Sequence, residues 1–578
     1  MRRSSTEPPA AAGSVSGHGG RRRGFGALLA VDLWERFSFF GMAAILVLYL
    51  TAPADRGGMG MASQSAAAVF AAYMSLCFLA GLPGGWLADR VLGARRAVLL
   101  GGALIACGHL VLAAPARGTL YAGLLLVVAG TGLVKPALAA MVAEAGGAGR
   151  ARREADFSLF YVCIQVSALI APVVTGLLAE RIAWHLGFAA AAVGMLAGLA
   201  QFSLGLRGLG SVGSRPARPV TRAEAATVRR RVALAAAVLC AVLAPPALLG
   251  ALPLKAVLAA LGLTTITLPF AYLRTLRRTL DREGPAPTTL GTGEGGPHDG
   301  AVPAVRGGDG GAGPASRGAR GGVVPGFRGA QEGAGQAAVR SAGDSGAGSA
   351  ARARLGAFAV MMAASSAFWM IFAQSGSALS LFAERDTDRE LLGFEVPASW
   401  FQSLHPLFVL LAAPFVARLA RRAGPGTRTP VKFAGALAAA GTSFLLMSVA
   451  ASLAEDGPVG PYWLVLVYLL YSCGEIALAP AGLALAAEVA PPGSTGRFLA
   501  VNGLFGAVGV VVGGQLYRLT AVLPLSVYFL LVGGFVLAVG AAVALAAGRL
   551  ERGLAAPSPQ KAEDPCSTGV SAGVRGGT

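Results

Sequence analysis

Residues 31–50 read VDLWERFSFFGMAAILVLYL. Asp32, Glu35 and Arg36 open the stretch, and the residues after them are apolar apart from Ser38. A helix needs about 20 predominantly apolar residues to cross a bilayer, so the segment reads as a membrane span. An ionisable group inside a span is costly unless it is paired or hydrated, which marks these three as candidate functional residues. Asp32 and Arg36 are spaced i, i+4 and share a helix face. Glu35 adjoins Arg36 in sequence and is expected to find its partner elsewhere.

Runs of the same apolar character recur along the chain. They lie near 25–51, 66–88, 97–114, 119–143, 157–180, 184–206, 231–250, 254–273, 355–383, 399–420, 430–452, 461–489, 497–518 and 524–548, so fourteen spans are expected. Composition agrees. Hydrophobic residues make up 54% of the 578 and charged residues 13%, about half the ~25% charged content of a soluble domain. This excludes a soluble globular enzyme, and runs of this length exclude a β-barrel of short alternating strands. The fold class is an all-α polytopic membrane protein, with the lipid bilayer as its surroundings.

The net charge of +19 is not arranged as basic patches interleaved with aromatics, so no nucleic-acid partner is expected. It marks one face of the membrane. Arg21 to Arg23, then Arg90, Arg95 and Arg96, then Arg150, Arg152 and Arg153 fall on one side, as do Arg229 to Arg231, Arg352, Arg354, Arg421, Arg422, Arg497, Arg549 and Arg552. The opposite loops are neutral or acidic, as at Glu455-Asp456 and Glu384–Glu395. The positive-inside rule then places both termini in the cytoplasm of a multi-pass cell-membrane protein. No cleavable signal peptide is visible.

The organisation follows: a basic tail (1–24), a six-helix bundle (25–206), a loop with a two-helix insertion (207–275), a linker (276–352), a second six-helix bundle (353–548) and a cytoplasmic tail (549–578). The linker is rich in Gly, Ala and Arg and lacks the large apolar side chains a core requires, so it is expected to be disordered. Five of the six cysteines lie in apolar runs without a CxxC pair and read as small hydrophobes rather than metal ligands. No metal or other cofactor is expected, and no nucleophile–base cluster suggests an enzyme.

Further charges stand where hydropathy alone would not put them. In GTGLVKPALAAM (130–141), Lys135 sits mid-span before the helix-loosening Pro136, and Glu35 or Asp32 is its natural partner. In YSCGEIALAPAGLALAAEVAPP (471–492), Glu475 lies deep in a run that also holds Gly474, Pro480 and Gly482, which suits a gating helix. His405 begins another span, just before Pro406. Between the second and third spans, GGWLADRVLGARR (84–96) combines Gly84, Gly85, Asp89, Arg90, Gly93, Arg95 and Arg96 in one tight turn. Its glycines allow close helix contact and its arginines hold the cytoplasmic side.

That turn between two six-span halves resembles the major facilitator superfamily. More narrowly, DLWERF followed by GMAAILVLYL resembles the first helix of the proton-dependent oligopeptide transporter family. GTGLVKP, FSLFYVCIQVSALIAPVVTG, WHLGFAAAAVGM, FWMIFAQSGSALSLFAERDTDRELLGFEVPASWFQSLHPLF and CGEIALAPAGL resemble it too, in family order. The resemblance implies a major facilitator fold of two six-helix bundles with two extra helices between them. It also implies proton-coupled symport of di- and tripeptides by alternating access, in a monomer driven by the proton gradient. Asp32, Glu35 and Arg36 fall on the family's ExxER motif, and Lys135 on its helix-4 lysine. Arg36 and Lys135 would share proton-sensitive contacts with the carboxylates and receive the peptide carboxylate, and Glu475 would receive the peptide amino terminus.

The chain departs from the family pattern at several substrate and proton positions. Asp32 replaces a glutamate, Phe39 and Phe40 replace two tyrosines, Gln165 replaces an asparagine, and Asn502 replaces a tryptophan. Ala43 and Ala373 stand where the family has an arginine and a glutamate, and His405 replaces an asparagine. With that arginine–glutamate pair absent, the candidates for the coupling proton are Asp32, Glu35, Glu475 and His405. The alternatives are a transporter of the same architecture for a modified peptide or natural product, possibly an exporter, or a sensor that no longer transports.

Overall fold

The computed structural model describes residues 18–114, 118–145, 150–217, 219–221, 223–227, 230, 254–283, 329–423, 428–491 and 494–555; at 18–23, 150–158, 254–255, 280–283, 329–348, 416–417 and 419–423 it describes the backbone alone. The first half contains α1 (His18–Thr51), α2 (Ser63–Leu87), α3 (Ala94–Ala113), α4 (Thr119–Ala145), α5 (Arg150–Arg181) and α6 (Trp184–Gly205). α7 (Leu254–Glu283) follows. The second half contains α8 (Gly329–Phe372), α9 (Ala378–Arg385), α10 (Leu404–Ala423), α11 (Thr429–Leu453), α12 (Tyr462–Val489), α13 (Thr495–Leu516) and α14 (Leu525–Leu554). The chain divides into two units, one of residues 1–274 with 356–554 and the other of 275–355 with 555–578.

Among the described residues, twelve helices are long and apolar enough to cross a membrane. Fourteen were expected. The run at 231–250 lies outside the described residues, and α10, which follows a 3-10 turn at Ala398–Ser403, is not among the twelve. Within the expected linker, 284–328 also lies outside the described residues. The backbone at 276–283 and 329–352 continues α7 and α8, so helix reaches further into this stretch than its glycines suggest. Its many alanines and arginines are strong helix formers.

Packing of small residues sets the helix spacing. A Cβ on Gly84 of α2 would run into the carbonyl of Gly132 on α4, and one on Gly101 of α3 would lie 2.7 Å from the Gly130 carbonyl. In the second half, Gly441 of α11 and Gly533 of α14 meet in the same way, each prospective Cβ 2.9 Å from the other's carbonyl. In a bilayer, where lipid is as apolar as leucine, such close backbone approach and dispersion supply the association. Leu28 and Val31 of α1, Val98 and Ile105 of α3, Val134 and Met141 of α4, and Met195 and Phe202 of α6 share one buried cluster. This cluster fixes the stretch of α1 that carries Asp32 and Glu35.

The apolar run 355–383 does not form one continuous helix. It breaks at a 3-10 turn, Ala373–Gly376, and at Ser377 (φ −131°, ψ −89°) before α9 begins. Hydroxyls that bond to nearby carbonyls favour such a break: Ser375 donates to the Phe372 carbonyl at 2.8 Å and Ser377 to that of Ala373 at 3.1 Å. Gln374 then donates to the Gly513 carbonyl at 3.0 Å and the Tyr528 hydroxyl at 2.8 Å, tying the break to α13 and α14. The acidic loop beyond α9 carries a short antiparallel hairpin of β1 (Glu390–Leu391) and β2 (Phe394–Glu395), with Leu392 and Gly393 both at positive φ as a two-residue hairpin turn requires.

Candidate functional site

The first cluster lies on α1, α2 and α4. Asp32 and Glu35 are each 1% exposed. Arg36 Nε lies 3.5 Å from Asp32 Oδ1 and 3.5 Å from Glu35 Oε2. Glu35 thus reaches its sequence neighbour after all, because the long arginine side chain folds back between both carboxylates. Among the described residues, none of the four carboxylate oxygens has a well-directed hydrogen-bond donor, and the Arg36 charge is the closest group that compensates them.

Lys135 is not within ion-pair distance of either carboxylate among the described residues. Its ammonium sits 3.7 Å above the Phe39 ring centroid, a cation–π contact. Phe39 stands one turn beyond Glu35 on α1, and Lys135 remains within electrostatic reach of Glu35. Phe39 also packs against Phe40 and Tyr73. Cys77, buried on α2, lies within electrostatic reach of Lys135.

The second cluster joins α8, α10 and α12. His405 Nε2 lies 2.6 Å from Glu475 Oε2. His405 Nδ1 lies 2.9 Å from Ser472 Oγ, and that hydroxyl also lies 2.6 Å from the Tyr468 carbonyl and 3.4 Å from the His405 carbonyl. The imidazole is enclosed by Tyr471 (centroids 4.7 Å apart) and by the edge of Phe372 (6.1 Å). The His405 and Glu475 side chains remain 13% and 12% exposed, and Arg36 17%. Lipid contact by such groups in mid-span is unfavourable, so this exposure is best satisfied by interior space between the helices.

α5 runs between the clusters. Cys163 lies within electrostatic reach of Asp32, and Tyr161 within reach of Glu475. Gln165, 5% exposed, donates to the Tyr161 hydroxyl at 2.8 Å. Phe40 and Asn502 are partly buried, and Asn502 lies against Gly482 of α12. Ala43 and Ala373 are 6% and 4% exposed and packed as core.

The turn after α2 is a π-helical segment, Ala88–Leu92, ended by Gly93 at φ +79°, a backbone that favours glycine. Gly85 packs on Pro136. Arg95 donates to the carbonyls of Val212 and Gly210, both at 2.6 Å, and Arg90 pairs with Glu224 at 3.0 Å. The Thr221 N–H and then Arg90 hold the exposed Glu224 carboxyl below its usual range. Asp89, Arg96 and Pro480 are exposed. Cys107 and Cys473 are exposed as well, on the outer faces of their helices rather than in the core.

A third group of residues, marked by no motif in the sequence, ties the end of α5 to the turn at Ala398–Ser403. The Glu180 carboxylate of α5 accepts from the backbone N–H groups of Ala398 at 2.7 Å and Ser399 at 3.0 Å. Trp400 Nε1 donates to the Val173 carbonyl at 3.1 Å, Ser403 to that of Leu169 at 2.8 Å, and Gln402 to that of Ala44 at 3.2 Å. Arg181 pairs with Glu395, and Arg385 donates to Ser63 Oγ at 2.8 Å. These contacts join residues more than a hundred positions apart, and hydropathy carries no signal for them.

Known proteins share this architecture. The POT family profile matches residues 95–232 and 338–531. An uncharacterized transporter, YclF, of Bacillus subtilis (strain 168) is 30% identical over 539 residues, covering 93% of this chain and 95% of that protein. A di-/tripeptide transporter of Lactococcus lactis subsp. cremoris is 28% identical over 500 residues, covering 83% and 86%. The crystal structure of a peptide transporter POT in complex with sulfate superposes with a TM-score of 0.77 at 31% identity, covering 92% of this chain and 95% of that one. A variant of a peptide transporter POT in complex with alafosfalin gives 0.76 at 31%, covering 92% and 96%.

Proposed function

The chain belongs to the POT family, and from that premise we propose that it carries di- and tripeptides across the cell membrane by proton-coupled alternating access. The observation that carries this reading is the placement of opposite charges on the two bundles. Arg36 and Lys135 stand mid-helix on α1 and α4, and Glu475 stands mid-helix on α12. A zwitterionic peptide needs an anion site and a cation site facing each other, each with its charge held in a poorly hydrated setting. In this proposal Arg36 and Lys135 receive the peptide carboxylate and Glu475 the amino terminus. Phe39, Phe40, Gln165, His405 and Asn502 contact the rest of the ligand. The solved relatives bound to sulfate and to alafosfalin support an anion-accepting, peptide-like site in this architecture.

The seal around Glu180 and Ala398 lies where α1, α5 and α9 end. With both termini cytoplasmic, as the arginine distribution indicates, that is the outer end, and the conformation is closed to the outside. Protons enter through Asp32 and Glu35, whose shared partner Arg36 is released as one of them is neutralised. Ala43 and Ala373 leave no charge in that part of the interior, so the coupling falls on the remaining groups.

Liposomes containing the purified protein are expected to accumulate radiolabelled dialanine under an inward proton gradient and to lose the accumulation when the gradient is collapsed. Equal uptake with and without the gradient would overturn proton coupling, and no uptake of any peptide in a panel would overturn the substrate class. Deleting 284–328 is expected to leave uptake within about twofold of the parent, since the stretch is poor in the large apolar side chains that a helix bundle buries. Complete loss of uptake at normal membrane expression would refute this.

A further inference from the structure

Glu475, proposed above as the seat of the peptide's amino terminus, is already engaged. His405 Nε2 stands 2.6 Å from its Oε2. His405 Nδ1 stands 2.9 Å from Ser472 Oγ, which also lies 2.6 Å from the Tyr468 carbonyl and 3.4 Å from the His405 carbonyl. Both ring nitrogens therefore face oxygen atoms, and a protonated imidazole, a donor at both nitrogens, fits the two contacts as an imidazolium–carboxylate pair.

The contact is close but poorly directed: among the described residues, Glu475 Oε2 has no aligned hydrogen-bond donor. A primary ammonium, with three donors free to rotate, satisfies a carboxylate better than a ring N–H fixed between Tyr471, Phe372 and Ser472. The other titratable groups around the pair are Tyr471 and Tyr468 on α12 and Tyr161 on α5. α8 presents Phe372, and the turn 398–403 carries no titratable side chain. Among the described residues, His405 is the one basic side chain within ion-pair distance of Glu475.

We infer that His405 is a built-in competitor for the substrate: its proton and the peptide's amino group are alternative occupants of the Glu475 carboxylate, so that binding the amine expels the proton from His405 to solvent. This deepens the proposed function and rests on Glu475 as the amine site. It gives the transporter two proton sites of opposite sense. The Asp32–Glu35–Arg36 cluster takes up a proton in the transport cycle, whereas the His405–Glu475 pair gives one up when a free amino terminus arrives. Acidification then favours the first site and works against the second, which limits accumulation at low pH and selects ligands whose amine is basic and unblocked.

Isothermal titration of dialanine into the purified full-length protein, in two buffers of different ionisation enthalpy, counts the protons exchanged on binding. The series runs from about pH 5.5 to about pH 7.5. In the wild type, binding is expected to release protons at the acidic end, and the apparent Kd to rise by up to about tenfold per pH unit there, the limit for one competing proton. In His405→Asn the release and this part of the pH dependence should vanish and acid-range affinity should increase. His405→Gln, a second neutral amide, should behave alike. Dialanine binding with the same proton count in the wild type and both variants would overturn the inference while leaving peptide transport intact. Absence of dialanine binding in all three proteins would overturn the peptide reading and the competition with it.

Discussion

Replacing Lys135 with alanine is expected to abolish gradient-driven peptide accumulation, with a loss of about a hundredfold or more. Two carboxylates, each 1% exposed, then rely on Arg36 alone. Removing one member of a buried charged set costs about 3–5 kcal/mol, and about 1.4 kcal/mol corresponds to a factor of ten. Part of that cost is relieved by protonating Asp32 or Glu35, which holds the cluster in its loaded form and uncouples it from the gradient. The cation–π contact with Phe39 is lost as well, and with it the proposed seat of the peptide carboxylate. Lys135→Arg keeps the charge and should recover part of the activity; exchange without a gradient should survive better than accumulation in both variants. Undiminished accumulation by Lys135→Ala would remove Lys135 from both proposed roles.

Gly176→Ala is expected to cut uptake by about fivefold or more through the outer seal. A Cβ at Gly176 would overlap Ser399 Oγ, and turning the hydroxyl away gives no relief because Ser399 Cβ is 2.9 Å from the same point. Overpacking of a tight contact costs about 1–3 kcal/mol, enough to lower the population of the closed conformation by about fivefold to a hundredfold. The contact joins α5 to the turn before α10, so each bundle should fold as before and thermal unfolding should change little. Adding Ser399→Gly removes the obstruction and should restore most of the uptake, a double-mutant signature of direct contact. Failure of the second change to rescue the first would mean that closure of this end does not pass through this contact.

Much of this protein is written in its local sequence. Bilayer crossing depends on the summed transfer of about 20 consecutive side chains, so the helices could be read from 25–51 or 430–452 without knowing their neighbours. Arginine placement is likewise additive along the chain. Motif residues such as Asp32, Arg36, Lys135 and Glu475 stood out because an ionisable group in an apolar run is rare whatever surrounds it.

Tertiary structure decided what those residues touch. Lys135 lies within electrostatic reach of Glu35, but its ammonium rests over the Phe39 ring rather than at ion-pair distance from a carboxylate. Glu35 found Arg36, since the i, i+1 spacing ignores the reach of an arginine side chain. The break at Ala373–Ser377 was hidden by an unbroken hydropathy signal, which is insensitive to hydroxyls bonding their own carbonyls. His405 and Glu475 were each legible, but not their pairing. They lie seventy positions apart on helices whose relative rotation is set by packing, and a 2.6 Å contact depends on that rotation. The same holds for Glu180 and the backbone at Ala398. Hydropathy and charge are sums over neighbours in sequence and survive any arrangement of the helices, whereas pairing is a property of the arrangement itself.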